Sequence, residues 1–463
     1  MKKIHIIGIG GTGMSAIARL LQQRGFTVSG SDRVMTPMAE LLHISGIPVR
    51  IGHIADNVTG VDAVLRSSAI PDDNPEVQAA RAAGIPVLKR ADILGDLIAG
   101  QKCIAVAGTH GKTTTTAMIA WLLHSLGLDP SFITGSPLQN HLGNASTGKG
   151  PDFVIEADEY DHMFHGLEPR IAVITNMEHD HPDCYPTWED YRQAFVTFIQ
   201  KIKPGGLLLV SAEDQNAAAL AAERPRNTYA RTYGLAPNGH YQAANLSTNV
   251  NGGLDFELRL NPPDGRSMSL GEFSLKVPGV HNVLNATAAL AVVHELGHSM
   301  VAAGDALAEF TGTSRRFEIL GEEKQITIVN DYAHHPTEIR ATLAAARLRF
   351  PERRLWAVWQ PHTYSRTMAL QDEFASAFEQ ADEVVITDVY AAREQSRPFP
   401  AVSFIERMNH PHAYFIPDLA SVSTYLLENL QPGDVMIVLS AGNADGIAYQ
   451  VLNGLKNSTV PAR

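Results

Sequence analysis

Residues 103–127 read CIAVAGTHGKTTTTAMIAWLLHSLG, and the organisation of the whole chain can be worked out from this stretch. Ile104, Ala105, Val106 and Ala107 form a short apolar run of the kind a buried parallel strand needs. Gly108-Thr109-His110-Gly111-Lys112-Thr113 follows at once, and from Thr114 onward the spacing is helical, with Ala117, Trp121 and Leu122 on one side and Gly127 placed to end the helix. Strand, glycine loop, Lys-Thr pair and helix, in that order, are the parts of a phosphate-binding loop. Backbone N–H groups at the helix N-terminus point at the anion, and the helix dipole favours negative charge there. Lys112 can reach the terminal phosphates of a nucleotide, and the Thr113 hydroxyl can ligate Mg²⁺. The general pattern has a glycine where this chain has Val106, so the loop is a variant of the Walker sequence.

Outward from this loop, the 463 residues suffice for about three domains of ordinary size. A net charge of −12 argues against non-specific binding to nucleic acid or to an anionic membrane surface. Cys103 and Cys184 stand in no motif and fit a reducing compartment. The first residues, MKKIHIIGIGGTGM, carry an apolar run that glycines break almost at once, so a signal peptide is not expected. No run approaches the ~20 apolar residues of a membrane span. The expectation is a cytoplasmic protein.

The first hundred residues alternate strand and helix as a doubly wound α/β unit, with strands at 4–8, 26–30, 47–51, 62–66 and 85–88. Gly8, Gly10 and Gly13 fit the pattern G-x-G-x-x-G, and Asp32 closes the second strand. This arrangement can seat a pyrophosphate on a helix N-terminus, and NAD, FAD and a UDP-sugar all carry one. Ser67 and Ser68 follow a later strand, at the edge where such sheets bind ligands. Residues 99–102 read as a first linker and residues 311–314 as a second. Between them strands are expected at 132–134, 153–156, 171–175 and 207–210. A hairpin, 254–260 with 267–275, turns through Asn261-Pro262-Pro263-Asp264-Gly265, and a helix follows over 283–295. Beyond residue 314 strand and helix alternate again, with strands at 326–329, 355–359, 383–387, 413–416 and 435–439.

Several clusters sit where chemistry is expected. Glu156-Ala157-Asp158-Glu159 ends a strand opposite Thr113, and Glu156 is the favoured Mg²⁺ ligand. After the next strand, His181 or Asp180 can reach a second metal, while His179 and His181 lack the partners of a zinc site. Asn282 and Asn285 open a helix and offer the donor and acceptor an adenine edge requires, or serve as caps. Arg315-Arg316 follows the second linker and can act as an arginine finger or as a surface pair. Asp331-Tyr332-Ala333-His334-His335-Pro336 and Gln360-Pro361-His362-Thr363-Tyr364-Ser365-Arg366-Thr367 each follow a strand, and their expected place is at adjacent strand ends facing one cleft.

In this order the glycine loop of residues 8–14, Gly108 to Thr113, Glu156 to Glu159, Asp180-His181, His281-Asn282-x-x-Asn285, Arg315 to Glu318, Asp331 to Glu338 and Gln360-Pro361-His362 resemble the Mur ligases of peptidoglycan synthesis over essentially the whole chain. The resemblance implies three α/β domains: a Rossmann-like UDP-sugar domain (1–100), a central P-loop ATPase-like domain with a small added β-sheet (101–313) and a Rossmann-like amino-acid domain (314–463). It implies that Gly8, Gly10, Gly11, Thr12, Gly13, Met14, Asp32, Ser67 and Ser68 hold UDP-N-acetylmuramate rather than NAD. ATP would lie on Gly108, Thr109, His110, Gly111, Lys112, Thr113 and Thr114, with Asn282 and Asn285 at the adenine and Arg315 and Asp331 reaching the nucleotide. Thr113, Glu156 and His181 would hold Mg²⁺, and Lys112, His334 and Arg366 would serve the reaction.

Gln360-Pro361-His362 with Tyr364-Ser365-Arg366-Thr367, and later Asp388-Val389-Tyr390-Ala391, point to the branch that adds L-alanine. So does the lack of lysine in residues 191–200, where several sister ligases carry a modified one. Thr363 departs from the arginine that often follows Gln-Pro-His in that branch. The alternative within the family is the murein-tripeptide ligase of cell-wall recycling, which uses the same UDP-sugar. Small-molecule partners, no nucleic acid, no membrane insertion and a monomer or homodimer complete the expectation.

Overall fold

The computed structural model describes residues 2–140, 142–262, 265–392, 394–396, 398–408 and 410–457. The expected turn residues Pro263 and Asp264 lie outside them. Three sheets organise the chain. The first is β1 (Lys3–Ile7), β2 (Thr27–Asp32), β3 (Val49–Ile51), β4 (Ala63–Arg66) and β5 (Val87–Leu88), parallel throughout and ordered β3-β2-β1-β4-β5. Ile4, Ile6 and Ile7 are all buried, as in a strand covered on both faces. The order reverses between β1 and β4, which opens the ligand crevice of such folds at their C-terminal ends.

The second sheet has ten strands: β6 (Lys102–Ala107), β7 (Ser131–Leu138), β8 (Gly143–Ser146), β9 (Asp152–Glu156), β10 (Ile171–Ile174), β11 (Leu207–Ser211), β12 (Tyr229–Gly234), β13 (Tyr241–Thr248), β14 (Leu254–Leu260) and β15 (Met268–Ser274). Its order is β15-β14-β13-β12-β11-β10-β6-β9-β7-β8, so the added strands continue the ladder of the phosphate-loop sheet. β6 lies between its parallel neighbours β10 and β9, and the helix Lys112–Ser125 leaves its end. The expected linker at 99–102 is tied down: the Gln101 side-chain amide donates to Ser131 Oγ at 3.0 Å and accepts from Arg24 at 3.0 Å.

The third sheet is β16 (Glu318–Glu323), β17 (Ile326–Asp331), β18 (Leu355–Trp359), β19 (Glu383–Ile386), β20 (Ala413–Phe415) and β21 (Val435–Leu439), ordered β16-β17-β21-β18-β19-β20 with only the edge strand β16 antiparallel. The expectation that the His334 and His362 segments follow adjacent strands is therefore corrected. The last strand, β21, crosses back and inserts between β17 and β18.

By packing, the chain forms two compact units. One takes the residues up to Leu246 with Phe256–Ser274 and Val283–Thr311; the other takes Ser247–Asp255, Leu275–Asn282 and the chain from Gly312 onward. Among the described residues no helix is long and apolar enough to cross a membrane. Both cysteines are free, and burial pushes the Cys103 thiol up to about 12.

Candidate active site

Two glycines make the phosphate loop possible. Gly108 has φ +134° and Gly111 φ +80°, and a Cβ would stand 2.1 Å from Thr175 Oγ1 at the first and 2.7 Å from Asn285 Oδ1 at the second. Thr175 and Asn176, just past β10, brace the loop. The Thr175 hydroxyl donates to the His110 carbonyl at 2.6 Å, and the His110 N–H donates to Asn176 Oδ1 at 2.8 Å. Asn285 accepts from the Thr115 hydroxyl at 3.1 Å, so it sits on the loop and its helix. Asn282 differs: its amide donates to the Pro278 carbonyl at 2.7 Å, just before the helix.

Lys112 donates to the carbonyls of Gly108 (2.6 Å) and Thr109 (3.1 Å) and to Glu159 (3.0 Å). Burial alone would lower its ammonium, but the carboxylates of Glu159, Asp158 and Glu156 outweigh that and hold it above the ordinary value. Glu159 is fully buried and also faces His181 Nε2 at 3.4 Å, a contact that overrides burial and raises the imidazole. Glu156 bonds the Thr113 hydroxyl and accepts from the Gly135 N–H at 2.6 Å, and burial raises its carboxyl. Thr113 and Glu156 thus present hard oxygen donors side by side, which suits Mg²⁺. His181 fits as a further ligand only in its neutral form.

In the first sheet, the N–H of Gly10 donates to Asp32 Oδ2 at 2.9 Å, while Thr36, unremarked in the sequence, donates its hydroxyl to the Gly10 carbonyl at 2.9 Å. A Cβ on Gly8 would lie 3.0 Å from Cβ of Ser67, so the glycine loop and the end of β4 meet at the crevice. Arg90 reaches the same place, since a Cβ on Gly13 would stand 3.2 Å from its Nη1.

In the third sheet, the side chains past β17, β18 and β21 interlock. Arg315 donates to the Ser440 carbonyl at 2.7 Å and lies 4.9 Å over the Tyr332 ring. Gln360 Oε1 accepts from Ser440 Oγ at 2.8 Å and from the Ala444 N–H at 3.1 Å. His334 Nδ1 lies 3.0 Å from the Tyr332 carbonyl, which can only accept, so the neutral ring carries its proton on Nδ1. Its ring meets that of His362 edge-on at 5.6 Å, and His362 Nδ1 accepts from Arg366 at 3.2 Å. His334, His362 and Arg366 therefore form one group despite the strand between them. Thr363 adopts φ +65° and donates its N–H to Tyr390 at 2.9 Å, which turns the chain into the Tyr364–Ala369 helix.

Asp331 is buried, accepting from the N–H groups of Ala333 and Phe317, both at 2.7 Å, and burial nonetheless pushes its carboxyl up to about 6. The folded state thus holds this proton more tightly than the unfolded chain does. Its contribution to stability is complete below pH ~4 and is lost as pH rises through ~6, amounting to about 3 kcal/mol. Denaturant melts between these pH values should show that slope, and Asp331→Asn should flatten it.

The comparisons with known proteins agree with this geometry. Residues 3–102 match the model of the Mur ligase family catalytic domain, residues 106–293 the Mur ligase middle domain, and residues 315–442 the Mur ligase glutamate ligase domain. The chain belongs to the Mur ligase family. Within this Mur ligase the first match holds β1 to β5, the second holds the phosphate loop and β7 to β15, and the third holds β16 to β21. Its sequence is 42% identical, over 96% of each chain, to the UDP-N-acetylmuramate–L-alanine ligase of Trichlorobacter lovleyi. Its structure is similar to that of UDP-N-acetylmuramate–alanine ligase MurC from Thermotoga maritima (TM-score 0.85, 32% identity, 99% of this chain and 100% of that one). It is also similar to a murein peptide ligase from Psychrobacter arcticus (TM-score 0.75, 26% identity, 100% of both chains).

Proposed function

We propose that this Mur ligase joins L-alanine to the lactyl carboxylate of UDP-N-acetylmuramate at the expense of ATP, in the cytoplasmic synthesis of peptidoglycan precursors. The observation that carries the reading is the full-length identity to L-alanine ligases, 42% in the case of Trichlorobacter lovleyi. The Lys112–Glu159 phosphate loop supports it. We divide the chain into a UDP-sugar domain (1–100), an ATP domain (101–313) and an amino-acid domain (314–463).

A carboxylate is a poor electrophile with no good leaving group. A lactyl carboxylate oxygen attacks the γ-phosphorus of ATP, the bond to the β-phosphate oxygen breaks, and ADP leaves. The alanine nitrogen then attacks the acyl carbon of the acyl phosphate, phosphate leaves with the C–O pair, and the nitrogen gives up a proton. Gly8, Gly10, Gly11, Thr12, Gly13, Met14, Asp32, Ser67 and Ser68 hold the UDP-sugar in this reading. The loop N–H groups and Lys112 hold the phosphates in line, which supplies much of the rate by orientation and charge. Mg²⁺ on Thr113, Glu156 and His181 would neutralise charge on the transferring phosphoryl group. Asn285 lies on the loop for the adenine side, and Arg315 and Asp331 serve the nucleotide from the third sheet. Arg366 offers a cation to a carboxylate, and His334 is the proposed acceptor of the amine proton.

Phosphate release from ATP and Mg²⁺ tests this directly. Release should require both UDP-N-acetylmuramate and L-alanine. Release with murein tripeptide in place of L-alanine would move the chain to the recycling reaction, and no release with either would overturn the function.

A further inference from the structure

The segment from Glu156 to His162 touches two things at once. Glu156 and Glu159 turn toward the phosphate loop, on Thr113 and on Lys112. Asp158 and Asp161 turn toward the first domain. Asp158 accepts from Arg90 at 3.1 Å, and Asp161 accepts from Lys89 at 2.8 and 3.1 Å and from the Ser68 hydroxyl at 2.9 Å. Arg90 lies at the glycine-loop crevice, and Ser68 directly follows Ser67, whose Cβ faces Gly8 there, so both connect that crevice to this segment.

The backbone is held under strain at the same point. Asp161 and His162 are successive non-glycine residues with φ +54° and +53°. Each such residue costs on the order of 1–3 kcal/mol and persists only where its surroundings impose it. Lys89 and Ser68 hold the Asp161 side chain at this point. There is no slack beyond it, because a Cβ on Gly166 would stand 2.3 Å from the Ala91 carbonyl, on the helix Arg90–Ile98.

We propose that residues 156–162 couple the two ligand sites, so that an anionic ligand on the glycine loop, by drawing on Arg90 and Ser68, resets Asp158 and Asp161 and through them the Glu159–Lys112 pair that meets ATP. The inference rests on the function proposed above. A guanidinium drawn toward a diphosphate by Nη1 shifts the Nη2 that holds Asp158, so the two states differ in free energy, as coupling requires. Lys89 and Asp161 are positioning residues in this scheme.

Calorimetric titration of the full chain with UDP-N-acetylmuramate, with and without Mg²⁺ and a non-hydrolysable ATP analogue, reads the coupling. The wild type should show affinities that differ by roughly fivefold or more, with the analogue's affinity shifted by the same factor when the sugar is bound. In Asp161→Asn, whose asparagine tolerates the left-handed backbone, and in Lys89→Met, each ligand alone should bind within about threefold of wild type while the factor falls toward one. Lys89→Arg should keep it. Variants that melt earlier with the factor unchanged would reveal a merely structural contact and overturn the inference, as would a wild-type factor of one with both ligands bound. Failure of the folded wild type to bind the UDP-sugar would overturn the proposed function, and the inference with it.

Discussion

Lys112→Ala is expected to reduce ATP-dependent turnover by ~10³-fold or more while UDP-N-acetylmuramate binding stays within a few-fold of wild type. The catalytic loss follows from removing a side-chain cation that bonds the phosphate loop itself. A second effect has to be separated from it. The same substitution leaves Glu159, fully buried, without its lysine, and stripping one partner from a buried pair costs ~3–5 kcal/mol. Lys112→Ala should therefore also melt at a lower temperature. Adding Glu159→Gln neutralises the stranded carboxylate and should restore the melting temperature but not phosphate release. A double variant that regained turnover would assign Lys112 a purely structural role.

The second large effect lies away from the phosphate loop. Glu76 is completely buried beneath the first sheet's ligand edge, accepting from Ser31 Oγ at 2.6 Å and from the Asn57 amide, with His5 Nε2 at 3.6 Å and His53 Nδ1 at 3.4 Å. Burial pushes its carboxyl up, yet the bonds from His5, Ser31 and Asn57 outweigh it and hold the group at about 2. Glu76→Ala strands these donors and should cost ~3–5 kcal/mol at neutral pH. The sign of the pH dependence is opposite to that of Asp331. The part carried by the lowered carboxyl is present above pH ~4.5 and lost as pH falls toward ~2, about 3 kcal/mol in all. Urea melts of wild type and variant should therefore converge as the pH falls. Because the Ser31 carbonyl accepts from the N–H groups of Gly8 and Ile9, the variant should also bind the UDP-sugar more weakly.

The strands that read clearly in the sequence are continuous apolar runs buried on both faces, such as Ile104 to Ala107 or Val435–Leu439. The strands β8, β12, β13 and β16 did not, because GNAS, YARTYG, YQAANLST and EILGEE show no such run, and they are held as strands by their neighbours in the ladder. The same division holds at the site. Lys112 and Thr113 announce themselves because loop and helix are contiguous. Glu159, the partner of Lys112, comes from 47 residues away, and Asn176, which holds the loop at His110, from 66, while Arg90 meets Asp158 across 68. Glu159 was visible only as one of three neighbouring acidic residues, and its burial, which decides its role, is a property of the folded sheet. The insertion of β21 between β17 and β18 is likewise a matter of long-range connection that no local pattern records.

The interleaving of the two compact units bears on the order in which a ribosome would deliver them. The first unit uses nothing beyond Thr311, so its whole complement emerges while the rest is still being translated. The stretches Ser247–Asp255 and Leu275–Asn282 emerge with it but belong to the second unit, where Arg349 later donates to the carbonyls of Asn251 at 2.8 Å and Lys276 at 3.4 Å. During synthesis these two stretches wait as unfilled sockets. A nascent chain arrested just after residue 313 should expose them to protease, and one extended past Arg349 and released should not.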